Sequence, residues 1–78
     1  MSKYVKEYEF LTQCLNTITK EIKFTFKVMP SLANEETVLV TIEGCVTSVA
    51  YLLRDIPKTS TWSITELKKG LYIEFPKK

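Results

Sequence analysis

The stretch Ile22-Lys23-Phe24-Thr25-Phe26-Lys27-Val28 alternates apolar and polar residues without an error. Successive side chains of a β-strand point to opposite faces, so this pattern predicts a half-buried strand. Ile22, Phe24, Phe26 and Val28 then belong to a core, and Lys23, Thr25 and Lys27 to the face across from it. Met29-Pro30 marks the predicted stop, because proline lacks an amide donor and restricts the residue before it.

Upstream, between Ser2 and Lys20, apolar residues fall at Tyr4, Tyr8, Leu11, Leu15 and Ile18, with Val5 and Cys14 beside the stripe. Steps of three and four predict an amphipathic helix. Ser2 is the candidate cap, and the β-branched run Thr17-Ile18-Thr19 weakens the helix where it must end. Downstream, Ser31 to Glu36 reads as a polar connection. Val38, Val40 and Ile42 then alternate with Thr37, Thr41 and Glu43, and only Leu39 breaks the pattern. The connection is too short for a parallel crossover, which predicts an antiparallel pair.

Cys45 to Asp55 admits two readings. In one, Thr47 or Ser48 caps a helix that buries Val49, Ala50, Leu53 and Ile56 and ends at Pro57. In the other, Glu43-Gly44 is a tight turn before a third strand through Val46, Thr47 and Val49. The helix is preferred, because Ala50-Tyr51-Leu52-Leu53-Arg54 favours helix and the apolar run does not alternate. Thr61 to Thr65, around Trp62 and Ile64, and Leu71 to Phe75 complete a hairpin whose turn is Lys68-Lys69-Gly70, with glycine where positive φ is cheap.

The expected order is helix, strand, strand, helix, strand, strand. That order predicts an α+β domain, residues 1–78, with a four-stranded antiparallel sheet and two helices on one face. The other face stays open. Its expected members are Lys23, Thr25, Lys27, Thr37, Leu39, Thr41, Thr61, Ser63, Thr65, Tyr72 and Glu74.

The 78 residues are 45% hydrophobic and 26% charged, which fits an ordinary folded domain near the size where one core supplies only about 3 to 5 kcal/mol of net stability. Eleven Lys and Arg face nine Asp and Glu, a net charge of +2. Arg54 is the one arginine, so the bidentate fork that reads phosphates and guanine edges is scarce. Two cysteines, Cys14 and Cys45, are too few for a secreted disulfide framework, and both are expected as small buried apolar groups in a reduced protein. No segment approaches the ~20 apolar residues of a membrane span. The N-terminus also lacks the apolar core of a signal peptide. A cytoplasmic protein with no membrane partner is expected.

The chain contains no histidine. The commonest general base and metal ligand is thereby missing, and two cysteines fall short of a zinc site. Glu35-Glu36 falls in a predicted exposed loop, and Glu7 and Glu9 do not share a helix face. Gly44 and Gly70 have no nucleotide-binding spacing. Cys45, near the predicted start of the second helix, is the lone candidate nucleophile and has no base. The expectation is no enzyme, no cofactor and no metal.

Binding functions remain. A small chain that begins at a methionine and lacks catalytic groups is most simply a stand-alone factor that modulates or inhibits a larger protein. By class analogy alone, it has the profile of accessory and anti-defence proteins of viruses and mobile elements. The candidate contact residues are Lys23, Lys27, Leu39, Tyr51, Lys68, Lys69 and Tyr72, with Leu52 beside Tyr51. The alternative is nucleic-acid binding along Lys20, Lys23, Lys27, Lys68, Lys69, Lys77 and Lys78, with Tyr72 or Tyr51 as a stacking surface. Glu21, Glu43 and Glu74 interrupt that stripe. A homodimer through a sheet edge or an apolar face is the subsidiary expectation.

Overall fold

A computed structural model of the chain describes residues 4–30 and 35–76. Helix α1 (Val5–Ile18) leads into β1 (Phe24–Pro30) and β2 (Thr37–Gly44). Helix α2 (Val46–Arg54), a short 3-10 turn (Pro57–Thr61), β3 (Ser63–Leu67) and β4 (Gly70–Glu74) follow. The four strands form one sheet in the order β1-β2-β4-β3, and every neighbouring pair is antiparallel. Both hairpins form as the sequence predicts, and the second slots its β4 beside β2.

The parity argument holds for the apolar side of the sheet. Phe24, Val38, Val40, Ile42, Leu71, Ile73 and Phe75 are buried against Leu11, Cys14, Leu15 and Ile18 of α1 and Val49, Ala50 and Leu53 of α2. Phe26 and Val28, on the edge strand β1, pack on this core but are only partly buried. An aromatic cluster closes one end of the layer. Phe75 stacks on Tyr4 at 5.7 Å between ring centroids, and receives the edges of Tyr8 at 5.5 Å and Trp62 at 4.8 Å. Offset and edge-on pairs of this kind add to the area they bury.

Helix α2 ends where Thr59 can reach its last turn. The buried Thr59 hydroxyl meets the carbonyls of Leu53 at 2.5 Å and Ile56 at 2.8 Å, and its one proton adds to the Ile56 and Thr59 amide bonds that these carbonyls already accept, fastening the 3-10 turn to the helix end. Pro57 opens that turn, where its fixed φ fits and its missing N–H costs nothing.

Hydrogen-bond phase fixes what each edge presents. Phe75 N–H donates to the Glu36 carbonyl at 2.7 Å and Ile42 N–H to the Lys69 carbonyl at 2.8 Å. In phase with them, Val38 exchanges bonds with Ile73 and Val40 with Leu71. Ile64, opposite Ile73, therefore turns its main-chain groups outward from β3. The guanidinium of Arg54 donates to that Ile64 carbonyl at 2.8 Å. By the same alternation Phe24, Phe26, Val28 and Pro30 face the outer edge of β1.

Several boundaries differ from expectation. Strand β1 starts at Phe24 and runs on through Met29 to Pro30, which pairs with Val38. Proline is tolerated there because its nitrogen faces the free edge. Cys45, not Thr47 or Ser48, occupies the N-cap of α2, without a side-chain cap bond. The Thr47 hydroxyl instead donates to Glu66 Oε2 at 2.9 Å, tying α2 to β3. Gly70 belongs to β4, and the positive φ, 135°, is at Gly44. Thr37 is buried, and Thr61 lies in the 3-10 turn before β3. The Ser2 cap and the Lys77-Lys78 tail lie outside the described residues.

Candidate functional site

The open face of the sheet is built from the residues that alternate with the core. Register aligns them in rows across all four strands. One row reads Lys27, Thr41, Gly70, Leu67, and the next reads Met29, Leu39, Tyr72, Thr65. Leu39 and Tyr72 are direct cross-strand partners, and Met29 is the partner of Leu39 on its other side.

Six large hydrophobic residues are exposed among those described, and four of them, Met29, Leu39, Leu67 and Tyr72, lie in these two rows. Each is 39–43% exposed, so more than a third of its surface is open to solvent. Single exposed apolar residues are ordinary, whereas a contiguous set on one face is the feature that marks an interaction surface.

Gly70 shapes the middle of this patch. It carries no side chain, and its neighbours Leu39, Val40, Thr41, Leu67 and Lys69 enclose a shallow, mostly apolar hollow of about 210 Å³. Tyr72 is two residues along β4 from Gly70, beside this hollow. Charged residues flank the two rows along the strand direction. Lys68 and Lys69 form the β3–β4 turn at one end, with Lys27 and Glu43 on the same side, and Glu74 follows Tyr72 at the other end.

The sequence-based candidates thus separate into groups. Leu39 and Tyr72 are in contact register, with Lys27, Lys68 and Lys69 around them. Lys23 precedes β1 and is exposed beyond this patch. Tyr51 is the most exposed apolar side chain described, at 71%, but it projects from α2 in the helical layer, where Leu52 is partly buried. It does not join the patch. Met29 and Leu67 do join it, and sequence reading left them out because it ended each strand early.

No family model, curated protein or solved structure matches this chain.

The features that bear on catalysis are spread apart. Among the described residues no cluster of three or more His, Cys, Asp or Glu side chains is positioned to hold a metal ion. Cys14 and Cys45 are both free thiols, the first buried and the second exposed, which corrects the expectation that both are buried. Cys45 escapes burial because it caps α2 instead of lying on its inner face. Burial raises the Cys14 pKa above the ordinary thiol value, since an apolar surround disfavours thiolate. The Tyr8 phenol is also raised, first by burial and then by the nearby Glu35 carboxylate; its hydroxyl donates to the Glu35 main-chain carbonyl at 3.3 Å. A thiol-specific reagent under native conditions is expected to modify one sulfur per chain, Cys45, with Cys14 reacting only after denaturant is added. Mass spectrometry of the labelled peptides checks this, and native labelling of Cys14 would contradict its burial.

No helix among the described residues is long and apolar enough to cross a membrane.

Proposed function

We propose that this chain acts without catalysis, by laying the open face of its sheet on a larger protein and thereby modulating or inhibiting it. The observation that supports this reading is the uncovered row Met29, Leu39, Tyr72 with Leu67 beside it. Aromatic side chains at the centre of an apolar patch commonly carry most of an interface's energy, and Tyr72 occupies that position. An accessory or anti-defence role in a virus or mobile element is the specific form of this proposal, by class analogy alone.

The charge pattern weighs against a nucleic-acid partner. Tyr72 is the single aromatic on the face among the described residues, Glu43 shares the end that holds Lys27, Lys68 and Lys69, and Glu74 stands at the other. Single-strand binders instead combine several stacking rings with a groove of one sign.

A photo-crosslinking residue placed at Tyr72, compared with one at Tyr51, tests the proposal in cells that contain the partner. The expected result is a covalent adduct larger than two copies of the chain from position 72 and none from position 51. In binding assays Tyr72→Ala should weaken the captured complex by about 2 kcal/mol or more, roughly thirty-fold. Equal adducts from both positions would overturn the reading. So would steeply salt-dependent binding to oligonucleotides with no protein adduct, which would favour the nucleic-acid alternative.

A further inference from the structure

The open face is self-complementary. Consider a two-fold axis running across the strands, between the row of Lys27, Thr41, Gly70, Leu67 and the row of Met29, Leu39, Tyr72, Thr65. Such an axis lays the first row of one copy over the second row of the other. Tyr72 then stands over Gly70 of the second copy, and its ring enters the hollow between Leu39 and Leu67 there. Met29 lies against the aliphatic stem of Lys27, which packs while its ammonium stays in water. Glu74, one step beyond Tyr72, meets the Lys68-Lys69 turn, one step beyond Gly70. Symmetry forms each contact twice.

From this match of the Tyr72 ring to the hollow and of Glu74 to the Lys68-Lys69 turn, we infer that the resting occupant of the face is a second copy of this chain, docked sheet to sheet. Aligned sheets pack in this way about 10 Å apart. Four strands at about 4.8 Å spacing and five residues at about 3.3 Å give a footprint of roughly 19 by 17 Å. Such a contact falls short of the ~800 Å² per partner of a standard interface. The dimer is therefore weak and exchanges readily. The inference rests on the same reading of this face as a docking surface and adds its regulation: a larger partner must displace the second copy, so occupancy depends on how much of the chain is present.

Sedimentation velocity of the full chain, from about 10 μM to about 1 mM, tests it. The expected result is a rise from the mass of one chain towards that of two. Leu39→Ser and Glu74→Lys should each raise the dissociation constant at least tenfold. The triple variant Lys68→Glu, Lys69→Glu, Glu74→Lys should bring it back to within about threefold of wild type, because the ion pairs are reversed rather than removed. All these positions are exposed, and circular dichroism verifies that each variant is folded.

A chain that stays monomeric to the top of the range overturns the inference. So does a dimer indifferent to Leu39→Ser and Glu74→Lys, which would assign the contact to the β1 edge. The crosslinking result is read separately. Monomers with a larger adduct at position 72 sink the dimer alone, and dimers whose only adduct is a second copy sink the proposed function alone.

Discussion

Gly70→Ala is expected to abolish the cooperative thermal transition of this chain. A Cβ at position 70 would lie 2.0 Å from the Val40 carbonyl oxygen, 3.1 Å from the Val40 carbonyl carbon and 3.2 Å from the Thr41 Cα. All three are main-chain atoms, so no side chain can rotate away. Relief requires β2 and β4, the two central strands, to separate where they share their ladder. Overpacking of a well-packed site ordinarily costs about 1 to 3 kcal/mol, and a backbone clash this deep belongs above that range. A domain of this size has only about 3 to 5 kcal/mol to lose. Circular dichroism melting and a proton–nitrogen correlation spectrum measure the outcome. A melting temperature within a few degrees of wild type would show that the strands can part without loss.

Phe75→Ala is the second substitution expected to unfold the chain. The ring is 1% exposed and touches Tyr4, Tyr8 and Trp62, so it joins the start of α1 to the end of β4 and the approach to β3. Truncating a buried phenylalanine removes its transfer energy and leaves a cavity, together about 3 to 5 kcal/mol. That loss equals the whole expected margin. Phe75→Leu keeps most of the volume and should leave a folded domain with a lower denaturation midpoint. The ordering of wild type, leucine and alanine by urea unfolding is the measurement. An alanine variant with at least half the wild-type stability would mean the aromatic cluster collapses onto the gap.

Where a face was set by parity, the sequence was sufficient. From Phe24 to Val28 the alternation correctly divides core from open face, while Ile22 and Lys23 precede the strand, and the alternation of Val38, Val40 and Ile42 does the same for β2. The helix reading of Cys45 to Asp55 also holds, since Val49, Ala50 and Leu53 recur at helical spacing and are fully buried. Where an outcome depends on a neighbour distant in sequence, the same reasoning falls short. Pro30 looked like a stop because nothing local reveals that β1 is an edge strand whose free side accepts it. The predicted strand ends at Thr65, and only the pairing of Leu67 with Gly70 extends it and places Leu67 on the sheet. Gly70 invited an argument from positive φ, whereas its role comes from the approach of Val40, thirty positions earlier. Tyr51 and Tyr72 are equally conspicuous as exposed aromatics, and only the layer architecture separates them.

The Arg54 contact with the Ile64 carbonyl bears on how many copies of the sheet can join edge to edge. Growth into a filament requires each copy to offer two different free edges, so that β1 of one adds to β3 of the next without closure. With the outward acceptor of Ile64 engaged by a charged donor, β3 offers an incoming strand one main-chain acceptor fewer, and Arg54 would have to let go before the Ile64 carbonyl could pair. Pairing of β1 with another β1 uses up that edge of both copies in one step. A single guanidinium thus makes the two margins of the sheet unequal, with β1 the less guarded of the pair.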